Sequence, residues 1–443
     1  MTLLFAPFYL SVLALVAAEL AFGRRSTAPR TPDIPPLFSI VALVVTYVVQ
    51  LALVWHAATH QSPALSFQAE LPIPFVKRTA EALPAISAAM IATALVQSLA
   101  LLALYRKAPG WPIVAGAAAV LAVLSVAEPA MIRSDAYAYV GDAALGRAAY
   151  MPPAKAFQGP LSVVNAEWGM PLRPTPYGPL WIAVSSAVMA PFPSLYAKIL
   201  ALRCLGLTMV VATVGGLWLL GFPNRMLAIA ALNPALFLQF VVDAHNDIVA
   251  VSLVILAAIF VKRGWLVACS LGILSAALIK IPFAILGLPV LIGLKDSWKR
   301  VVASVGVVAL APLLTWLVVG ANFWGAIARH APVASLSGVL YSGPLGGLVS
   351  IVGLAVIVVS IFYVRRIRSA VWLMPFMGTV AFPWYMVWGT GYALRSRRSL
   401  AYLLVWLPFA AMIVDSMFVQ LWTILIILPA IVSIAILRSV RTA

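Results

Sequence analysis

Long apolar runs recur along the whole chain and are separated by short polar segments. Most runs contain roughly 18 to 25 residues, which lets an α-helix cross a hydrocarbon core about 30 Å thick. Shorter runs, such as residues 281–294 and 384–394, interrupt the pattern late in the chain. The pattern predicts an all-α polytopic membrane protein, a helical bundle with about 13 to 15 membrane segments.

Composition supports this assignment and excludes a soluble enzyme. Of the 443 residues, 64% are hydrophobic and 9% are charged, and the mean hydropathy is +1.07. The formal net charge of +17 would suggest nucleic acid as a partner if the protein were soluble. Here the basic residues cluster between apolar runs, where they act as topology signals. We therefore expect membrane lipid as a partner and no nucleic acid.

The charge distribution predicts the orientation of the chain. Residues 3–22 are apolar and are followed by Gly23, Arg24 and Arg25, the reverse of a cleavable signal peptide. Most other basic residues fall in alternate loops, which the positive-inside rule places in the cytoplasm. We expect a retained first helix, an N-terminus outside the membrane and a cytoplasmic C-terminus.

The outer connection at residues 130–178 is rich in Tyr, Pro and Gly, and a loop of this length is uncommon without a function. Within it, Asp135, Tyr139 and Asp142 have the spacing of one helix face. This spacing predicts a helix lying along the membrane surface. Ser134 or Asp135 could also simply cap that helix, and the two roles can coexist.

Half of the acids converge on the predicted outer face, and titratable groups are almost absent at mid-span. The six are Glu128, Asp135, Asp142, Glu167, Asp243 and Asp247. An ion-coupled transporter would usually place such groups near the midplane of the membrane. The distribution therefore favours chemistry at one face.

Two further motifs fall on the same face. Tyr177 lies in the turn TPYGPLW, before an apolar stretch too short to span the membrane comfortably. In VVDAHNDIV, His245 is flanked by acids, and Asn246 or Asp247 could cap the next helix. No second His lies at a ligand spacing such as i+4, so a metal site is not favoured and no cofactor is expected.

Late motifs supply one cation and several aromatic rings. Lys280 in ALIKIPF either snorkels to the headgroups or binds the phosphate of a lipid substrate. Trp384 and Tyr385 in FPWYMVW form an interfacial belt or pack against a polyprenyl chain or sugar. Arg329 and His330, in another outer loop, are further candidates.

Taken in order, SDAYAYVGDAALGR, TPYGPLW, NPALFLQFVVDAHNDIV, ALIKIPF and FPWY resemble the bacterial GT-C glycosyltransferases. The likeness is greatest to the polyprenol-phosphate-mannose-dependent alpha-mannosyltransferases. It divides the chain into a three-helix extension at 1–110, a GT-C-like catalytic module at 111–395 and C-terminal helices at 396–443. The module would carry an extracytoplasmic loop with a juxtamembrane helix at 130–178.

The resemblance implies inverting transfer of a sugar, with mannose favoured, from a polyprenyl-phosphate donor at the outer face of the bacterial plasma membrane. The acceptor would be a hydroxyl of a glycan or glycolipid. The catalytic aspartate would correspond to Asp135, and Lys280 would bind the donor phosphate with His245 or Arg203 as helpers. The substrate or acceptor would contact Tyr139, Asp142, Tyr177, Asn246, Asp247, Trp384, Tyr385 and His330.

The chemistry needs only one carboxylate. A polyprenyl phosphate leaves as a stable anion, so it does not need the protonation that a glycosidase leaving group needs. One base to deprotonate the acceptor then suffices. Two alternatives stay open: a glycolipid flippase or transporter, and the same enzyme class with an arabinose or glucose donor.

Overall fold

The computed structural model describes residues 12, 13, 16, 19, 34–60, 71–76, 84–151, 157–168, 174–294, 296–323, 368–377 and 382–417. In this part of the chain the regular elements are helices, and the one strand-like feature is an isolated bridge between Phe75 and Met131. The prediction of an all-α polytopic membrane protein is confirmed. The candidate His330 lies outside the described residues.

The α-helices of the described residues alternate with short turns and one-turn helices. In chain order they are α1 (Pro36–Thr59), α2 (Pro84–Arg106), α3 (Trp111–Ala127), α4 (Asp135–Leu145), α5 (Ser162–Trp168), α6 (Pro179–Met189), α7 (Leu195–Leu219), α8 (Asn224–Ala231), α9 (Pro234–Phe237), α10 (Asp247–Lys262), α11 (Leu266–Ile279), α12 (Phe283–Leu286), α13 (Leu288–Leu291), α14 (Ser297–Val319), α15 (Thr390–Ala393) and α16 (Arg397–Met417). A π-helix covers Leu238–Val242, and 3-10 helices cover Gly146–Tyr150, Gly159–Leu161, Ser369–Met377 and Pro383–Gly389.

Five of these helices, α1, α2, α7, α14 and α16, are long and apolar enough to cross a membrane. A sixth span forms if α8 and residues Pro234–Val242, which meet at an angle of 44°, count as one bent crossing. The count of about 13 to 15 segments stays a prediction, because much of the predicted runs 3–22, 346–364 and 419–437 lies outside the described residues.

The predicted single span at residues 226–242 is wrong in detail, because the chain breaks at Asn233. Pro234 has no N–H to continue the α8 ladder, and the Asn233 side chain accepts a hydrogen bond from the Ala235 N–H at 3.2 Å. The Asn233 amide also donates to the Leu404 carbonyl of α16 at 2.7 Å. The break therefore has a partner inside the bundle.

The late runs 281–294 and 384–394 also fail to form continuous spans. The first run contains the two four-residue helices α12 and α13, which meet at Gly287. The second run contains most of the Pro383–Gly389 helix, followed by α15, and its residues are buried up to Ala393. Neither forms one helix as long as a membrane crossing needs.

Side-chain contacts distinguish two ends of the bundle. At the basic end, Arg225 lies over the Tyr105 ring at 4.8 Å, and Lys262 Nζ donates to the Leu220 carbonyl at 3.2 Å. Helix α10 runs from this end's Lys262 back to Asp247 at the opposite end, which we call the pocket end. The α11 helix returns to the pocket end and stops before Lys280.

Arg203 of α7 ties the pocket end together. Its guanidinium donates to the carbonyl oxygens of Val126, Glu128, Ala130 and Val242. One turn further along α7, a Cβ on Gly206 would lie 1.8 Å from the Phe240 carbonyl oxygen, so only glycine allows this close approach. The end of α3 and the π-helix are thereby fixed against α7.

Candidate active site

Asp135 is the first residue of α4, but its carboxyl group does more than begin a helix. The preceding Ser134 makes no side-chain capping hydrogen bond, so the interpretation of Ser134 as a simple cap is not supported. Asp135 Oδ1 accepts a hydrogen bond from the Tyr177 hydroxyl at 3.3 Å. The same oxygen lies 4.0 Å from His245 Nδ1, and the Asp135 side chain is 11% exposed. The carboxyl group therefore faces a cluster of buried polar side chains, which we call the pocket.

The predicted face of α4 packs against the turn at residues 174–177. Beside the Asp135 contact, Tyr139 meets the Tyr177 ring edge-on at 5.1 Å, and Asp142 Oδ2 accepts from the Thr175 hydroxyl at 2.7 Å. Burial raises the pKa of Asp142 to about 7, and the Thr175 hydrogen bond opposes the shift. The shared face is confirmed, whereas a contact of Tyr139 or Asp142 with substrate stays a prediction.

Gly178 brings Tyr177 next to Lys280. The Gly178 N–H donates to the Ile279 carbonyl at 2.9 Å, and a Cβ on Gly178 would lie 2.0 Å from the Leu278 carbonyl oxygen. Any larger residue would push the turn away from α11. Lys280 Nζ consequently lies 5.6 Å from the centre of the Tyr177 ring, whose hydroxyl contacts Asp135. The predicted base and the predicted cation thus flank one tyrosine.

Lys280 is held in an aromatic cage with one carboxylate. Its ammonium lies 2.9 Å from Asp247 Oδ1 and 4.2 Å from the centre of the Tyr385 ring. Trp388 completes the group, because its indole N–H donates to the same Asp247 oxygen at 2.6 Å. Burial lowers the pKa of Lys280, and Asp247 opposes that shift. The snorkelling interpretation is therefore wrong, since the ammonium is paired inside the protein.

His245 lies between two carboxyl groups under an indole ring. The imidazole stacks on Trp384 with a centroid distance of 3.7 Å. Its Nδ1 is 4.0 Å from Asp135 Oδ1 and its Nε2 is 3.8 Å from Asp243 Oδ2. Burial, with Lys280 and Arg133 nearby, lowers the pKa of His245 well below its usual value, so the ring is neutral.

Burial also raises the pKa of the two acids beside His245. The pKa of Asp135 rises to about 6, although Arg133, Lys280 and the Tyr177 hydrogen bond lower it in part. The pKa of Asp243 rises to about 8, opposed by its hydrogen bond with the Ile132 N–H. At neutral pH, Asp135 is ionised and Asp243 is largely protonated. Titratable groups with displaced pKa values are typical of functional sites.

The backbone at residues 238–247 is unusual. A π-helix precedes Ala244, which has a φ of 55° and is the one non-glycine residue with positive φ in the part of the chain described. Single π-helical turns and left-handed residues are often found at functional sites. Asp243, His245, Asn246 and Asp247 all have buried side-chain atoms without a hydrogen-bond partner among the described residues. So many polar atoms in one loop indicate a site for a polar ligand.

Three interpretations from the sequence need correction. Arg203 is not carried forward as a donor-phosphate ligand, because four backbone carbonyls already accept from its guanidinium. Asn246 does not cap α10 through its side chain, because it occupies the cap position but makes no side-chain capping hydrogen bond. Trp384 and Tyr385 are only 4% and 8% exposed, so they do not form a lipid-facing belt.

Three residues at the pocket were missed as candidates. Arg133 donates to Asp415 at 2.5 Å and lies 5.8 Å over the Trp384 ring. Asp243 and Trp388 belong to motifs already singled out, VVDAHNDIV and FPWYMVW, but neither was chosen within them. The signal for Arg133 was its place two residues before Asp135, although nothing in the sequence set it apart from other loop arginines.

The geometry defines a class of protein: a helical membrane protein whose pocket combines buried carboxyl groups, a buried lysine and aromatic side chains. Among the residues that the structure describes, no three His, Cys, Asp or Glu side chains are grouped so as to hold a metal ion. A family model described as alpha-(1->6)-mannopyranosyltransferase, N-terminal domain, matches residues 37–295. The chain therefore belongs to this family of alpha-mannosyltransferases, which confirms the resemblance.

The match contains Asp135, Tyr177, His245, Asp247 and Lys280, and it ends before the aromatic motif. It begins in α1, so it crosses the boundary predicted at residue 110, and that division of the chain stays a prediction. The searches of curated proteins and of solved structures found no significant match. Membership of the family makes the protein a glycosyltransferase with a sugar donor and a glycan acceptor.

Proposed function

We propose that the protein transfers mannose from a polyprenyl-phosphate donor to a hydroxyl of a cell-envelope glycan or glycolipid, with inversion at the anomeric carbon and in the GT-C manner. One observation carries the proposal: the Asp135 carboxyl and the Lys280 ammonium flank Tyr177 within a single buried pocket. Membership of an alpha-mannosyltransferase family supports mannose as the sugar.

Asp135 acts as the general base. Its pKa of about 6 leaves it ionised at neutral pH and still basic enough to take a proton in the transition state. The acceptor oxygen attacks the anomeric carbon, the hydroxyl proton passes to Asp135, and the bond from the anomeric carbon to the phosphate oxygen breaks. The polyprenyl phosphate leaves with the electron pair of that bond.

Lys280 and Arg133 supply positive charge for the departing phosphate. Both cations lower the pKa of Asp135 and of His245 through space, which supports their placement around one site. Cations fixed where negative charge develops stabilise a transition state most in a pocket that excludes water. Asp247 keeps the lysine in place through the 2.9 Å ion pair.

The sugar hydroxyls bind the polar atoms of the loop after the π-helix. The Asn246 amide and Asp247 Oδ2 are buried and have no hydrogen-bond partner within the described residues. Trp384 and Tyr385 support the site from behind, because His245 and Phe382 stack on the Trp384 ring and Trp388 stacks on the Tyr385 ring. We propose that the acceptor enters on the side of Asp135, whose carboxyl group is partly exposed.

The pocket is proposed to face the extracytoplasmic side of the bacterial plasma membrane. Arg225 and Lys262 lie at the end of the bundle opposite the pocket, and basic residues favour the cytoplasm. This orientation lets the isoprenoid tail of the donor stay in the bilayer while its head reaches the pocket. No residue role in the proposal requires a metal ion, and added EDTA should leave the rate unchanged.

The test uses purified protein in proteoliposomes with radiolabelled polyprenyl-phosphate mannose, glucose or arabinose supplied separately. We expect transfer with the mannose donor and a product of alpha configuration when the donor is the beta anomer. A protease-accessible tag at the basic end sorts vesicles by orientation. Retained configuration, or transfer that needs the donor at the basic end, would contradict the mechanism or its sidedness.

A further inference from the structure

His245 and Asp243 form a row with Asp135 that the proposed reaction does not yet use. The imidazole has Asp135 Oδ1 at 4.0 Å from Nδ1 and Asp243 Oδ2 at 3.8 Å from Nε2. Both ring nitrogens are buried without a hydrogen-bond partner in the part of the chain described, and so is Asp243 Oδ2. Three unsatisfied polar atoms therefore lie in line behind the proposed base.

The other oxygen of Asp243 indicates which of its atoms carries the proton. Asp243 Oδ1 accepts from the Ile132 N–H at 2.7 Å, so it acts as the carbonyl oxygen. A hydroxyl at Oδ2 can then donate to His245 Nε2, which fixes the remaining imidazole proton on Nδ1. The raised pKa of Asp243, caused by its complete burial, agrees with a protonated carboxyl at neutral pH.

We propose that Asp243 and His245 are positioning residues for the general base: the Asp243 hydroxyl donates to His245 Nε2, and His245 Nδ1–H donates to Asp135 Oδ1. The inference deepens the proposed function and rests on it. Asp135 Oδ1 then receives the imidazole and the Tyr177 hydroxyl, and Oδ2 is left to take the acceptor proton. No charge moves along the row, because each member keeps its own proton.

The fold holds the imidazole close to this arrangement. The His245 N–H donates to the Gln239 carbonyl at 3.2 Å, and Ala244 has the left-handed φ of 55° that turns the chain. Trp384 stacks on the ring and fixes its plane. The distances of 3.8 and 4.0 Å are longer than hydrogen bonds, and such contacts often shorten when substrates bind.

Burial, with the help of two nearby cations, keeps the His245 ring neutral. Asp135 faces it from α4, Asp243 from the end of the π-helix, and Arg133 and Lys280 from the two connections beside the pocket. Burial and the two cations oppose an imidazolium ion, and they outweigh the Asp135 carboxylate, which favours one. A neutral ring with its proton on Nδ1 is the one form that donates to Asp135 while accepting from Asp243.

The Asp243→Asn variant tests whether Asp243 acts as a protonated carboxyl group or as a carboxylate. In Asp243→Asn, the amide oxygen can accept from Ile132 and the NH₂ group can donate to His245, as a protonated carboxyl does. We expect kcat within about threefold of wild type. In Asp243→Ala we expect a loss of roughly 10- to 100-fold in kcat, little change in donor KM, and an acid limb displaced to higher pH.

Substitutions at His245 provide a second test, which does not depend on whether Asp243→Ala folds. The amide nitrogen of His245→Asn lies near the position of Nδ1 and can donate to Asp135, whereas His245→Gln places its amide near Nε2. We expect His245→Asn to retain more activity than His245→Gln. A loss in Asp243→Asn as large as in Asp243→Ala, or the reverse order at His245, overturns the inference.

A spectroscopic readout tests the tautomer without reference to activity. Nitrogen-15 chemical shifts of the four histidines in labelled protein, assigned with His245→Asn, distinguish Nδ1–H, Nε2–H and imidazolium forms. We expect a neutral Nδ1–H ring at pH 7, and an Nε2–H ring or an imidazolium contradicts the arrangement. If wild type transfers mannose and Asp135→Asn does not, the proposed function holds, and these results test only the hydrogen bonds among Asp243, His245 and Asp135. An inactive wild type or an active Asp135→Asn instead removes the proposed function.

Discussion

Asp135 and Asp247 begin two helices at the same pocket, yet their surroundings differ. Asp247 Oδ1 accepts from the Trp388 indole at 2.6 Å and from Lys280 at 2.9 Å. Asp135 Oδ1 has a longer hydrogen bond of 3.3 Å from Tyr177. Asp247 is fully buried, whereas the Asp135 side chain is 11% exposed. The Asp247 carboxylate is held by two short contacts, whereas the Asp135 carboxylate is held less tightly.

The comparison shows that two aspartates at the first position of a helix differ because different neighbouring elements contact them. Both acids benefit from the positive end of a helix, which favours a carboxylate in the first turn. The Asp247 partners come from the end of α11 and from the helix Pro383–Gly389, and protonation of this carboxylate would weaken its ion pair with Lys280. Asp135 has no such tight partners, which favours it over Asp247 as the proposed base.

The largest expected effect is on catalysis at Asp135. Asp135→Asn keeps the shape of the side chain and its contact with Tyr177 but removes the basic site. We expect kcat to fall by about 10²- to 10⁴-fold, the usual contribution of a general base. The measurement is initial-rate transfer with the radiolabelled mannose donor, together with donor-induced stabilisation against heat, which should persist.

Asp296→Asn is the matched control for that substitution. Asp296 lies at the start of α14, where its exposed carboxylate pairs with Lys299 at 2.8 Å. We expect wild-type turnover in this variant. Turnover by Asp135→Asn equal to that of the control would assign the base to another group, with Asp247 the first to examine.

The next effect concerns the stability of the Asp247 side of the pocket. Lys280→Met leaves the buried Asp247 carboxylate without its cation, and removal of one partner of a buried ion pair typically costs about 3 to 5 kcal/mol. Asp247→Asn with Lys280→Met should be more stable than Lys280→Met alone. Thermal or denaturant unfolding in detergent gives the coupling free energy of this double-mutant cycle.

Additive effects in the cycle would mean that the ion pair does not hold the pocket together. Donor use separates stability from function in the same variants. Lys280→Met should raise the donor KM more than the acceptor KM, because the phosphate loses a cation while the base at Asp135 remains. Equal changes in the two KM values would argue against a role in phosphate binding.

The smallest expected effect is a displacement of the pH profile. The proposed mechanism requires an ionised Asp135, so activity should fall as the pH decreases through the pKa of about 6. The Tyr177 hydrogen bond lowers this pKa, so Tyr177→Phe should move the acid limb to higher pH by less than about one unit. The profile of kcat/KM in wild type and variant measures the shift, and a move to lower pH would contradict the contact.

Much of the helical architecture follows from the hydropathy of the sequence, while the breaks within it do not. Runs such as residues 36–57 are apolar for the length of a crossing and form α1 almost as predicted. The run 226–242 is equally apolar but breaks where Pro234 interrupts the helical hydrogen bonds, and the Asn233 amide there binds the Leu404 carbonyl on a distant helix. Hydropathy records the need for burial and contains no information about that partner.

The sequence by itself was enough to predict a polytopic helical protein with several acids on one face. It was enough because hydropathy, charge and residue spacing are local properties of the chain. It also led to Asp135 and Lys280, through the resemblance of those motifs. Only the tertiary structure decided which groups serve as partners. In the structure, Arg203 donates hydrogen bonds to backbone carbonyls, Lys280 forms an ion pair with Asp247, and His245 lies beside Asp135. Partner choice depends on distances of a few ångströms between residues far apart in the chain, and that information arises only when the helices pack.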